Sequence, residues 1–308
     1  MLESTASIRF RASQDQRGLG FIRAMQYANY PEVSTFASTA AGPNWFEAGE
    51  PFLLIDGARI PAIEKWLGRH VPTQDWMSLL GATTGSPLLS ASPVLIKVTS
   101  RLAGAHVRRV LTKPEYLRAA SVLVSHLSLS ELAAHLAGHI TIEDPDRTRW
   151  GLAFWDPFIL ATLVGTQPAL SAITPGPVLT PAQIGSLLGP IAYWCFKGWQ
   201  GEMRTIGPIP ESQTCTLPFK FDQDQMDQLA DIPLPETIIR TFREAAPELL
   251  AEQNDEELHI LCCNAIRTSR TNGKHNLSDY CSAAFDALSV LAEHRRVATD
   301  TVKQGKST

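Results

Sequence analysis

The sequence predicts an α/β protein, a layered mixed-sheet N-terminal domain followed by a helical C-terminal lobe. Three observations predict it. Short apolar runs bounded by turn residues recur through the first half, with helix-spaced stretches between them. The dipeptide Asp156-Pro157 marks a helix start directly behind one such run. Beyond Pro233 and Pro235 the apolar residues fall only at helical spacing.

The first regular element is Phe52-Leu53-Leu54-Ile55, a buried-strand pattern that ends in Asp56-Gly57. Pro61 to Gly68 then reads as a helix, because Ile63 and Leu67 stand four apart on one face. Val94 to Val98 is a second strand, Ala103 to Leu111 a helical stretch, and Ser121 to Val124 a third strand. Ser128-Leu129-Ser130-Glu131 has the form of a capping box. The Ser128 hydroxyl accepts from the amide three residues on, and Glu131 reaches back to the Ser128 amide. Leu129, Leu132 and Leu136 continue that helix. Ile140-Thr141-Ile142 reads as a short strand or connector, Asp144-Pro145-Asp146 as a turn, and Trp150 to Trp155 as a fourth strand. Asp156 then caps a helix running from Pro157 to Val164.

Residues 165–190 are rich in Pro and Gly and read as a turning connection. Ile191 to Phe196 and Trp199 to Ile206 flank Lys197-Gly198 as a hairpin. Thr237 to Ala245, Glu256 to Thr268 and Leu277 to His294 read as helices, and the residues from about Thr299 as a frayed polar end. These signals divide the chain into an N-terminal extension (1–50), an α/β domain (51–165), a connection with a hairpin (166–230) and a helical lobe (231–308).

Composition narrows the function. The chain has 308 residues, 44% hydrophobic and 19% charged, which is a globular balance. Its formal net charge of -4 has the wrong sign for tracking phosphates, so no nucleic-acid partner is expected. The first residues lack the apolar core of a signal peptide, and no stretch reaches the ~20 apolar residues of a membrane span, so the expected location is the cytoplasm. Five cysteines without a C-x-x-C pair point to reduced thiols and no zinc.

Motifs that carry chemistry fail on inspection. His135 and His139 stand at i and i+4, but Leu136 occupies the place of the metalloprotease glutamate, so the pair reads as a polar helix edge. Gly305-Lys306-Ser307 resembles the end of a phosphate loop, yet Asp300 stands where its first glycine belongs. Gly18-Leu19-Gly20 lacks the third glycine of a dinucleotide fingerprint, which is Arg23 here. Asp56 and Asp156 read as turn and helix caps, with a catalytic Asp56 as the rival. No catalytic, cofactor or metal residue is assigned. Tyr193, Trp194, Phe196 and Trp199 form a dense aromatic segment, the candidate partner-binding residues, with ordinary core packing as the alternative.

The order of segments carries a resemblance. Phe52 to Ala58, Ser92-Pro93-Val94-Leu95-Ile96-Lys97-Val98, Leu123-Val124-Ser125, Ser128 to Leu136 and Leu152-Ala153-Phe154-Trp155-Asp156-Pro157 together resemble the type VI secretion effector-chaperone family, domain of unknown function 4123. Leu188-Gly189-Pro190 and Phe219 to Leu229 are similar to its later elements. Two positions depart from that pattern: Phe158 stands where a basic residue often follows Asp-Pro, and Leu152-Ala153 where an arginine often precedes the aromatics.

The resemblance implies a cytosolic adaptor and not an enzyme. Such a protein holds a secreted toxin effector and helps load it onto the valine-glycine-repeat spike or its PAAR-domain tip, with no cofactor. The alternatives are an α/β hydrolase-like enzyme or a structural component of the secretion apparatus.

Overall fold

We describe the protein from a computed structural model, over residues 48–98, 118–166, 176–198, 202–207, 215–250 and 253–305. The helix read over Ala103 to Leu111, the aromatic Trp199 and most of the N-terminal extension lie outside these residues. The fold is mixed α/β, with a six-stranded antiparallel sheet in the N-terminal half and helices in the C-terminal part. The chain divides into two compact units, passing between them at Ala161/Thr162, Val178/Leu179 and Lys220/Phe221.

The first unit is built on β1 (Glu50–Asp56), β2 (Trp76–Ser78), β3 (Pro93–Lys97), β4 (Ala120–Ser125), β7 (Ile191–Lys197) and β8 (Met203–Ile206). Their spatial order is β2-β3-β1-β4-β7-β8, and every neighbouring pair is antiparallel. Although α1 (Ile63–His70) separates β1 from β3 in sequence, the two strands pair antiparallel, with Leu54 opposite Leu95. A second sheet has the order β6-β5-β9, from β5 (Thr141–Glu143), β6 (Arg149–Gly151) and β9 (Phe219–Lys220). It holds a parallel pair, β5 with β9, in which Ile142 faces Phe219.

Side chains alternate across each strand, so register decides which face a residue joins. Leu53, Ile55, Val94, Ile96, Val122 and Cys195 share one core with Ile63 and Leu67 of α1 and Trp76 of β2. Phe52, Leu54, Leu95, Leu123, Trp194 and Phe196 are the residues between them, and they are equally buried. A sheet covered on both faces needs apolar residues at successive positions, which is why β1 and β3 read as unbroken apolar runs.

Helix starts follow the residues that promised them. Ahead of α2 (Leu129–Gly138), Ser128 Oγ accepts from the Glu131 amide at 3.3 Å, and the Ser128 amide donates to Glu131 Oε2 at 2.9 Å. Asp156 Oδ1 accepts from the Phe158 amide at 2.9 Å and opens α3 (Pro157–Leu163).

Two readings are corrected. The strand expected over Trp150 to Trp155 is only Arg149–Gly151, in the small sheet; after it the chain turns, with the Asp156 amide donating to Ala153 O at 3.1 Å. Leu152 and Phe154 are buried and Ala153 and Trp155 half-buried, so a turning segment imitates strand alternation. The stretch read as a connection contains α4 (Pro181–Leu188). Thr180 and Gln183 form its capping box, and Pro181 sits in the first turn, where a missing N–H costs nothing.

The second unit contains α5 (Gln223–Asp231), α6 (Leu234–Ala245), α7 (Asp255–Thr271) and α8 (Leu277–Gly305). Asp222 caps α5, and Gln225 within it donates from Nε2 to Val178 O at 2.7 Å. Ile238, Ile239 and Phe242 of α6 pack with Leu258, Cys262 and Ile266 of α7 and Tyr280, Ala284 and Leu288 of α8. The turn between α7 and α8 uses Gly273 at φ +73°, a left-handed conformation that glycine adopts without a Cβ clash. Asn254 caps α7, and Asp255, Glu256 and Glu257 complement the positive end of its dipole. Arg270 locks α7 to α5 through a two-pronged ion pair with Asp231 at 2.5 and 2.6 Å.

Candidate functional site

The aromatic segment alternates with the strand that carries it. Trp194 and Phe196 are buried on one face of β7, and Tyr193 is half-buried on the other with the cluster around Val122. The Trp194 indole N–H donates to Ser121 Oγ at 2.9 Å, and its ring meets Phe154 edge-on at 6.2 Å. Phe196 meets Phe158 at 6.3 Å. Trp194 and Phe196 are thus internal packing groups that present no surface here, Tyr193 presents part of one, and Trp199 is outside the described residues. A period-2 strand between two cores buries alternate aromatics whatever their interface potential.

Asp56 and Asp156 come together at the end of β1. Arg59 bridges them, with Nε 3.3 Å from Asp56 Oδ2 and Nη2 3.2 Å from Asp156 Oδ2. Arg118 adds Nε at 3.0 Å and Nη2 at 2.8 Å to the same Asp156 oxygen. Burial raises the Asp56 carboxyl above its usual range, against the Ala58 amide and the Arg59 charge, which pull it down. The partners of both carboxylates are guanidinium groups and backbone amides, which hold two loops to the sheet and leave the acids in structural duty. Arg118 carried no sequence signal; it is placed only by the fold.

His135 and His139 are also spoken for. His135 Nε2 donates to Leu187 O at 2.9 Å, tying α2 to the end of α4. His139 Nδ1 faces His135 O at 2.7 Å and therefore carries the proton, leaving Nε2 to accept from Ser186 Oγ at 3.1 Å. Burial pulls both imidazoles down, His139 to about 4, so both are neutral at pH 7. Among the described residues no group of three or more His, Cys, Asp or Glu is placed to hold a metal ion. Burial pushes the Cys195, Cys262 and Cys263 thiols up to about 12, which makes them poor nucleophiles.

The second unit carries an open apolar groove. A groove of about 470 Å³ runs between α7 and α8. Ile260, Leu261 and Ala265 line it from α7, and Ala283, Ala287 and Leu291 from α8, with Glu257, Asn264 and Thr268 along the edge. Ile260 is 38% exposed, and Val290 on α8 is 56% exposed. On α7 the lining residues follow a second stripe, at 257, 261, 264 and 268, next to the stripe of Leu258, Cys262 and Ile266 that faces α6. No helix among the described residues is long and apolar enough to cross a membrane.

Comparison with known proteins places part of this architecture. Residues 51–170 match the model of a family described as a domain of unknown function, DUF4123. The match runs from β1 to just beyond α3 and contains all four members of the Asp56–Arg59–Arg118–Asp156 cluster, whereas the groove falls outside it. No curated protein and no solved structure matches the chain.

Proposed function

We propose that this protein is a cytoplasmic adaptor of type VI secretion, without catalytic activity of its own, that binds a toxin effector and helps load it onto the secretion spike. The observation that carries the reading is the open apolar groove between α7 and α8, joined to the family match over residues 51–170. An open groove with an apolar floor and polar residues along it is a shape that can take a segment of a partner protein. The polar clusters fit the same reading, because Asp56, Asp156, His135 and His139 are all engaged in holding elements together.

An adaptor must shield its cargo and then release it, which favours a contact of moderate area over a deep, permanent interface. Its specificity then resides in a few apolar anchors and the charges around them.

The test is co-expression of the full chain with the large protein encoded just downstream. The expected result is a co-purifying complex that keeps the toxin soluble. Failure to form a complex with either that protein or the spike protein would overturn the reading.

A further inference from the structure

The small sheet ends in an open edge at β6. We propose that β6 pairs with β6 of a second copy of this chain, antiparallel and across a two-fold axis at Trp150, joining the two small sheets into one.

The register of β5 with β6 decides which backbone groups the edge offers. The Asp144 amide donates to Thr148 O at 3.0 Å, and the Leu152 amide donates to Ile140 O at 2.7 Å. Hydrogen-bonded pairs alternate with non-bonded ones along an antiparallel ladder, so Ile142 and Trp150 form the bonded pair between those two. The amides and carbonyls of Arg149 and Gly151 therefore point away from β5. All three residues of β6 are exposed, and among the described residues no backbone group pairs with those of Arg149 or Gly151 on that side. This edge is complementary to itself. With the second strand turned end for end, Arg149 of each copy exchanges N–H and C=O bonds with Gly151 of the other.

The side chains favour the same axis. Phe219, Ile142 and Trp150 stand opposite one another on neighbouring strands and share one face of the sheet. Phe219 and Ile142 are enclosed, whereas Trp150 at the end of this row is 51% exposed. Its indole is already held, the N–H donating to Asp144 Oδ2 at 2.8 Å. Two-fold pairing sets Trp150 against Trp150 of the second copy in a non-hydrogen-bonded pair, where side chains come closest and aromatic pairs add stability. The apolar row then runs unbroken through both sheets. On the opposite face Arg149 falls across from Gly151, around whose missing Cβ the space is open, so the two arginines are never directly opposed. So short an edge makes a reversible dimer.

The experiment uses the full chain alone. Sedimentation over a range of concentrations is expected to show a mass rising from 33.7 kDa toward twice that value. W150K places like charges opposite each other and is expected to weaken the dimer by at least about tenfold, with an unchanged circular dichroism spectrum. R149P removes an outward amide without removing a β5–β6 bond, and is expected to weaken it similarly. W150C and R149C are then oxidised separately with glutathione disulfide, and linked peptides are identified by mass spectrometry. Crosslinking of two copies through position 150, and not through position 149, is the expected result, because only residue 150 meets its own copy.

A chain that stays monomeric at every soluble concentration would overturn the proposal. So would a dimer that W150K and R149P leave intact, or crosslinking through position 149 in place of 150. The crosslinks decide the matter even where W150K disturbs the fold, and none of these results bears on the adaptor reading.

Discussion

The two units solve the burial problem differently. In the first, both faces of the large sheet are covered, and Phe52 to Ile55 are fully buried in succession. Its polar interior is matched group to group: Trp194 with Ser121, His139 with Ser186, Asp156 with two arginines. In the second, the α7–α8 hairpin is covered by α6 on one side and keeps Ile260, Phe285 and Val290 at the surface. Both units leave some large apolar side chains exposed, Leu88 and Trp150 in the first and Phe285 and Val290 in the second; what differs is the groove between two helices of the second unit, which is suited to meet a partner.

Substitutions can break that contrast, beginning with the largest effect. Trp194→Ala would empty a fully buried site and strand the Ser121 hydroxyl, and is expected to cost about 3–5 kcal/mol in urea unfolding. A cost under about 1 kcal/mol would show that this core is loosely packed. Asp156→Ala removes a helix cap and leaves Arg118, with its side chain 18% exposed, beside an empty place; about 3 kcal/mol is expected. A neutral result would mean that the cluster is not what anchors β1 to α3.

The pH dependence is a smaller effect with a definite sign. His139 is held near 4 in the folded chain and titrates near 6.5 when unfolded, so the unfolded state binds the extra proton between those values. Stability is therefore complete above pH 6.5 and declines as the pH falls toward 4. Unfolding midpoints across that window should fall less steeply for His139→Gln than for the parent chain. Equal slopes would contradict the buried, neutral imidazole. Smallest of all is Ala287→Trp, at an exposed position, which is expected to alter stability by no more than about 0.5 kcal/mol while disrupting the complex.

Much of the first unit was legible in the sequence because its signals are local. The Ser128–Glu131 capping box, the Asp156-Pro157 start and the apolar runs of β1, β3 and β4 each act through neighbouring residues, and the structure repeats them. The hairpin reading over Ile191 to Ile206 likewise corresponds to β7 paired with β8. Helix α4 was missed because its prolines and glycines outweighed the Thr180–Gln183 box. The wholly antiparallel order of the large sheet could not be read from alternating strands and helices, since pairing direction depends on long-range register.

The candidate site was less legible. The dense aromatics drew attention to Tyr193, Trp194 and Phe196, but strand alternation puts Trp194 and Phe196 in the core. Groove residues such as Leu261, Ala287 and Leu291 are ordinary helix formers, individually silent, and become a surface only when two helices set them side by side. Arg59 and Arg118 meet Asp156 across 97 and 38 residues, a separation that no local pattern encodes.

The proposed adaptor role of the helical unit is tested most directly by hydrogen exchange of the full chain, free and in the presence of the effector proposed as its cargo. New protection along α7 and α8, centred on residues 257–268 and 283–291, with the large sheet unchanged, is the predicted result. Protection confined to the β-sheet unit, with the hairpin exchanging as in the free chain, would contradict it.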